Sequence, residues 1–307
     1  MKISQVAKLS PIERFAYWIS ERHSIFLKRK KGLPKPWTDD EVLQKFFFTN
    51  PFRENDKVTQ WFREKIRKPL AESEDVLFAT IAFRWFNYIP TGEQLLMAPW
   101  NKKDKFGVFT DWRTPLIVNR LTGLAGHDGK IFTGAFNISN SGSTKPKINR
   151  VCEDYIQPVW EDRHNLIARA EGWETLQEAH KDIVGYPGLG GSGFMAYEVI
   201  SDLRYTYALK TASDILTWAN PGPGAKRGLN RIQGNPLEAS LRKDDYNEAA
   251  NDIREELRLL LIQNNVYDTM PAIDARVIEH SLCEFDKYER ARLGDGHMKR
   301  TYDGKGR

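Results

Sequence analysis

The chain has 307 residues, with 46 Lys and Arg against 41 Asp and Glu, which gives a formal net charge of +5. Hydrophobic residues make up 40% and aromatics 12%, enough for a sizeable core and too much for a disordered chain. No apolar run approaches the ~20 residues that span a bilayer, and the start MKISQVAKLSP carries no secretory core. The two cysteines, Cys152 and Cys283, are too few for a disulfide framework or a four-ligand zinc site. A cytoplasmic protein with no membrane partner is expected (in the host cytoplasm if the chain is viral), and the mild basic excess points to an anion.

In chain order, Ser10 and Pro11 predict the start of a first helix through Ile12, Phe15, Ile19 and Phe26. Thr38 is expected to cap a second helix with Val42, Leu43, Phe46 and Phe47 inside, stopped by Asn50-Pro51. Two more helices are predicted over 56–68 and 73–88. From about 90 to 147 the periodicity weakens, and the one predicted strand is KIFTGAFNI, 130–138. A long helical stretch over 151–183 leads into a glycine-rich hairpin at 184–193, then a helix over 194–209. Asn220-Pro221-Gly222-Pro223-Gly224 reads as a second loop, and helices are predicted over 244–263 and 271–290. The fold class expected is mostly α with a small irregular or β insertion, either one unit over 1–307 or two lobes, 1–150 and 151–307.

Three segments carry candidate chemistry. In the hairpin, glycines permit positive φ and leave amides of Gly188, Gly190 and Gly191, with Ser192, free to meet a DNA phosphate without reading bases. The alternative is an ordinary glycine-rich corner. In the second loop, Lys226, Arg227 and Arg231, beside Gly222 and Gly224, suit a phosphate or pyrophosphate; the alternative is a solvated basic loop. In 279–290, Glu279, Asp286 and Lys287 read either as a general-base cluster or as ion pairs along a helix. Arg53 and Lys57 are further candidate DNA contacts. Cys283 is expected to be buried and inert. No histidine pair has metal-ligand spacing, so no resident metal is expected, and no GxxxxGK[ST] loop occurs in the sequence.

Taken together, WTDDEVL (37–43), FFTNPFRENDKV (47–58), FRWFN (83–87), the helix-hairpin-helix, GPGAKRGLNR (222–231) and EHSLCEFDKYER (279–290) resemble one family. These are the α-glutamyl/putrescinyl-thymine pyrophosphorylases, or amino acid:DNA transferases, of thymidine-hypermodifying bacteriophages. That family is similar to the helical domain of 5-hydroxymethyluracil DNA kinases, and the resemblance runs from about Trp37 to Tyr302. It implies a helix-hairpin-helix DNA glycosylase-like fold and base flipping. It also implies double-stranded DNA carrying 5-(pyrophosphoryloxymethyl)uracil, made by an upstream kinase, as substrate. An amino acid or polyamine would displace pyrophosphate, with Mg²⁺ accompanying the pyrophosphate and no tightly bound cofactor.

On that reading Gly222, Gly224, Lys226, Arg227 and Arg231 hold pyrophosphate, Arg227 also serving in catalysis. Glu284 or Asp286 orients or deprotonates the amine, and Lys287 pairs with a substrate anion. The 133–147 region is the candidate amine pocket. Glycosylases of this fold carry an Asp about twenty residues after the hairpin; here the matching loop has none, leaving Asp202 or Asp214 as substitutes. A glycosylase or lyase, and a non-catalytic DNA-binding domain serving the kinase, are the alternatives.

Overall fold

A computed structural model describes residues 1–97, 106–134, 136, 138, 143–295 and 301. Its longer helices, in chain order, are α1 Pro11–Lys30, α2 Asp75–Phe86, α3 Ile89–Leu96, α4 Thr114–Asp128 and α5 Arg163–Ala170. They continue with α6 Leu176–Ile183, α7 Phe194–Leu203, α8 Pro223–Gln233, α9 Lys243–Gln263 and α10 Ala275–Leu293. The chain is mostly α-helical, as its periodicity predicts.

Local chemistry explains where the helices begin. Ser10 Oγ accepts from the Glu13 amide while the Ser10 amide donates to the Glu13 carboxylate at 2.7 Å, and Pro11 follows, so α1 starts where predicted. The next short helix, Glu41–Lys45, is capped by Asp40 rather than Thr38: Asp40 Oδ1 accepts from the amides of Val42 at 2.9 Å and Leu43 at 3.1 Å. A carboxylate reaching two amides outcompetes the hydroxyl two residues earlier, and the helix ends before Phe47. Asp40 Oδ2 accepts from the hydroxyls of Tyr288 at 2.6 Å and Tyr17 at 3.2 Å. Burial and then the Asp40 charge push the Tyr288 hydroxyl well above its ordinary pKa.

Three expectations change. The 130–138 strand is absent among its described residues (135 and 137 lie outside them), and the single bridge among the described residues is Phe46 to Thr301. Instead the Thr133 amide donates to the Phe86 carbonyl at 2.8 Å, and Phe132 stacks on Phe86 at 5.5 Å, so the alternating apolar residues pack a loop against the end of α2. The stretch read as irregular contains α3 and α4, which open on Pro90 and Pro115 near their first positions. Gly123 and Gly126 dilute the apolar period of α4. The long helical stretch expected over 151–183 is divided into a π-helical turn, Arg150–Ile156, then Gln157–Glu161, α5 and α6.

The chain divides into two compact units, Met1–Lys57 with Ile215–Arg307, and Val58–Asp214. This differs from a cut at 150, because α1 packs with the C-terminal helices. In the first unit Phe15, Trp18 and Ile19 of α1 bury against Leu257 and Leu261 of α9 and against Ile278, Leu282 and Phe285 of α10. The Phe15 and Phe285 rings lie 5.2 Å apart. Each such side chain contributes about 1.5–3 kcal/mol by leaving water.

In the second unit α2 is buried on every side, from Val76 to Phe86. It packs against α7, and Asp202 of α7 is held by two arginines. Arg84 donates from Nε to Oδ2 at 2.6 Å and from Nη2 to Oδ1 at 2.9 Å, and Arg67 Nη1 donates to Oδ1 at 3.0 Å.

Candidate functional site

The site with the most charge in one place is built by α8 and α10. Gly224 and Gly228, one turn apart, make α8 flat on the side that meets α10. A Cβ on Gly228 would lie 2.1 Å from the Leu282 carbonyl oxygen, and one on Gly224 would lie 2.5 Å from Cys283 Sγ. Only glycine lets the backbones approach this closely. The GPGAKRGL segment is helical from Pro223 onward, and the loop expected to carry Lys226, Arg227 and Arg231 is corrected to helix α8.

Arg227 and Arg231 share the next stripe of α8, and both reach Asp286 on α10. Arg231 Nε donates to Oδ1 at 2.8 Å, Arg227 Nε donates to Oδ2 at 3.1 Å, and Arg290 Nε, one turn on from Asp286, lies 3.3 Å from Oδ2. The Asp286 side chain is 1% exposed, whereas those of Arg231, Arg227 and Arg290 are 10%, 28% and 35% exposed. One buried carboxylate therefore aligns three guanidiniums that run from the interior to the surface. Arg231 Nη2 is buried with no hydrogen-bond partner. Among the described residues the one further acid within 4 Å of these guanidiniums is the exposed Glu238, 3.8 Å from Arg227, so the cluster keeps a net positive charge.

Other expected site residues take different roles. Lys226 Nζ donates to the Leu241 carbonyl. Gly222 is the N-cap residue of α8, and its amide donates to Glu279 Oε1 at 3.5 Å. Glu284 Oε2 accepts from the Thr49 amide at 2.9 Å and from Lys287 Nζ at 3.3 Å. Lys287 Nζ also donates to the Phe47 carbonyl and lies 4.8 Å over the Phe48 ring. His280 Nε2 meets Thr49 Oγ1 at 2.8 Å. Glu284 and Lys287 thus fasten the 47–49 segment to α10.

Both oxygens of Asp286, expected as a candidate general base, are engaged by guanidiniums. Cys283 is exposed rather than buried. Desolvation by its neighbours, and then the charges of Glu279, Glu284 and Asp286, push its thiol up to about 12.

In the second unit, α6 and α7 are joined by the 184–193 turn as expected. Gly188, Gly191 and Gly193 take φ of +79°, +66° and +70°. A Cβ on Gly188 would lie 2.7 Å from the Trp85 ring, so this glycine serves packing, whereas Gly191 faces open space. His180 Nε2 meets the Gly193 carbonyl at 3.0 Å and ties the turn's end back to α6. Gly190 is half-buried and Ser192 exposed.

Arg53, in a short 3-10 turn, and the exposed Lys57 belong to the first unit. The expected DNA contacts therefore fall on two units.

Neither substitute for a glycosylase Asp is free. Asp202 is enclosed as described, and Asp214 accepts from the amides of Leu176 at 2.6 Å and Gln177 at 3.0 Å, capping α6. Among the described residues no group of three His, Cys, Asp or Glu could hold a metal ion. The Asp286 cluster offers guanidiniums where Mg²⁺ needs oxygen ligands, so the residues there do not fit a resident Mg²⁺. Of the expected amine pocket, 135, 137 and 139–142 lie outside the described residues, as does most of the basic tail after 295. No helix of the described residues is long and apolar enough to cross a membrane.

Sequence reasoning missed Arg290 as a partner in the cluster, although its position four residues after Asp286 carries the signal. It also missed Arg67 and Arg84, whose shared acid lies more than a hundred residues away.

The model of the 5-hmdU DNA kinase helical domain matches residues 10–298. The chain belongs to that family. A 5-hmdU DNA kinase of Bacillus phage SP10 is 26% identical over 286 residues, which cover 87% of this chain and 43% of that kinase. The chain thus spans less than half the length of this relative. No solved structure matches. Within the helical-domain family match lie both halves of the arginine cluster, α8 and α10, and the α6–α7 turn.

Proposed function

We propose that the chain modifies DNA by transferring an amine onto 5-(pyrophosphoryloxymethyl)uracil. The amine nitrogen attacks the exocyclic methylene carbon, the bond from that carbon to the pyrophosphate oxygen breaks, and pyrophosphate leaves with the electron pair. The proton lost by the amine passes to solvent. The target base leaves the stack, as base-modifying enzymes require. Arg227, Arg231 and Arg290 receive the charge that develops on the leaving group, and Asp286 holds them in register.

The observation that carries this reading is the surplus of guanidinium on one buried carboxylate, graded from interior to surface. Guanidiniums are suited to pyrophosphate oxygens because they bind bidentately and stay charged. The sequence resemblance to the amino acid:DNA transferases and membership of a family named for a 5-hmdU DNA kinase domain support the DNA substrate.

The test is to incubate the protein with DNA bearing the pyrophosphorylated base and a pool of amines, then to weigh the nucleosides. A new α-substituted thymidine with released pyrophosphate is the expected result. Abasic sites would make it a glycosylase, against which the engaged Asp202 and Asp214 argue. Unchanged DNA would favour the second reading, a DNA-presenting domain. That reading draws on one observation: the matching model describes a helical domain of a kinase.

A further inference from the structure

The least compensated charge in the described molecule lies outside the Asp286 cluster. Arg150 opens the π-helical turn Arg150–Ile156 of the second unit and is 2% exposed. Its Nε, Nη1 and Nη2 are all buried and none has a hydrogen-bond partner. Among the described residues no carboxylate pairs with it, and its one close polar-aromatic neighbour is the Tyr155 ring, 6.0 Å from the guanidinium carbon.

A buried Lys or His relieves such a position by losing its proton. Arg cannot, because its pKa stays above ~12. A buried guanidinium therefore needs a counter-ion, and buried charges in proteins are paired.

The surroundings do not supply one. Lys147, one turn before Arg150, lies 4.6 Å over the Phe132 ring, and burial and then the Arg150 charge lower its pKa. Glu153, the nearest acid along the turn, is occupied: its Oε1 accepts from Asn149 Nδ2 at 2.8 Å, and its Oε2 lies 3.2 Å from Lys145. Two cations and an aromatic wall are thus gathered without an acid. Tyr155 in turn stacks on Trp85 at 4.7 Å, and Gly188 of the α6–α7 turn closes on both rings.

We propose that Arg150, with Lys147 beside it, is the receptor for a small oxyanion of carboxylate or phosphate type that completes this unit. A duplex phosphate cannot reach nitrogens with no exposed surface, whereas a free anion of a few atoms is taken up by a local opening. Bidentate pairing with a guanidinium is the geometry such a head group favours. The inference stands on Arg150 itself. If the amine-transfer reading also holds, the two small oxyanions of that reaction are the carboxylate of an amino-acid substrate and the released pyrophosphate. The Asp286 cluster already answers to the second.

The test is thermal unfolding of the full chain with L-glutamate, with inorganic pyrophosphate, and with putrescine and sodium chloride as controls, in wild type, Arg150→Met and Arg227→Ala. At ~100-fold over its Kd a bound anion raises Tm by about 4 °C for a chain of 307 residues. A rise with glutamate that vanishes in Arg150→Met and survives in Arg227→Ala supports the receptor and names a carboxylate. With pyrophosphate, which the Asp286 cluster is also proposed to bind, a rise that remains in Arg227→Ala and vanishes when Arg150→Met is added to it supports the receptor and names a phosphate.

Arg150→Met without ligand is expected to melt at or above the wild-type temperature, because it removes an uncompensated charge at nearly constant volume. A lower Tm, or no anion whose response Arg150→Met reduces, overturns the proposal. Arg150→Lys, which keeps the charge and loses the fork, is expected to weaken the response about tenfold. None of these readouts requires turnover, so a chain that binds glutamate through Arg150 and yields no new nucleoside sinks the transferase reading alone.

Discussion

Each unit buries one aspartate among arginines, and the two clusters differ in where the arginines end. Around Asp202 the guanidiniums are as buried as the carboxylate, 1% exposed for Arg84 and 3% for Arg67, and Arg84 also donates to Asn87 Oδ1 at 2.6 Å. Around Asp286 the carboxylate is equally buried, but Arg227 and Arg290 reach water. The first arrangement is a lock, in which every charge has its partner inside the protein. The second leaves cationic groups at a surface, held in one geometry by an acid that no ligand can displace. What separates a structural ion pair from a candidate anion site is the exposure of its arginines.

Four substitutions can break or sharpen that contrast. The largest effect is expected for Asp202→Ala, which strands two buried guanidiniums and costs about 3–5 kcal/mol in denaturant unfolding. A loss under ~1 kcal/mol would erase the distinction between the clusters. Gly228→Ala comes next, at about 1–3 kcal/mol, because its Cβ meets the Leu282 carbonyl. Separating α8 from α10 should also lower pyrophosphate affinity in calorimetric titration.

Asp286→Asn is expected to cost about 1–2 kcal/mol, less than Asp202→Ala because Arg227 and Arg290 turn to water. Arg227→Ala should change stability by under ~1 kcal/mol while weakening pyrophosphate binding. A stability loss as large as that of Asp202→Ala would make the Asp286 cluster a second lock.

The smallest effect concerns Cys283. Its thiolate forms only as pH rises toward about 12, so alkylation by iodoacetamide should be slow at pH 8 and accelerate steadily above it. Rapid labelling at neutral pH would contradict the charge pattern assigned to that face of α10.

Much of the helical frame was legible in the sequence, because capping and period are local. Ser10-Pro11 with Glu13 marks α1 as plainly in the chain as in the structure. Thr38 and Asp40 show the limit: both can cap, and the carboxylate that does so is also held by Tyr17 and Tyr288, brought from distant positions. Lys130 to Ile138 alternates as a strand does, but its Thr133 amide bonds to the end of α2 and not to a partner strand.

The site was half legible. Arg227, Arg231 and Asp286 were recognisable as chemistry-bearing residues, yet nothing in the sequence shows that the first two close on the third. That pairing depends on Gly224 and Gly228, which resemble a phosphate loop in sequence and act as a helix contact in the fold. Arg150 carried no signal at all. What marks it is the absence of a partner, which only packing reveals.

The central claim is that the Asp286-aligned arginines take up the charge of a departing pyrophosphate. Its most direct test compares single-turnover product formation by wild type and Arg227→Ala on pyrophosphorylated hydroxymethyluracil DNA, with DNA binding measured in parallel. The account predicts a rate lower by ~10²–10³ in the variant with DNA affinity retained. An unchanged rate in the variant would contradict it.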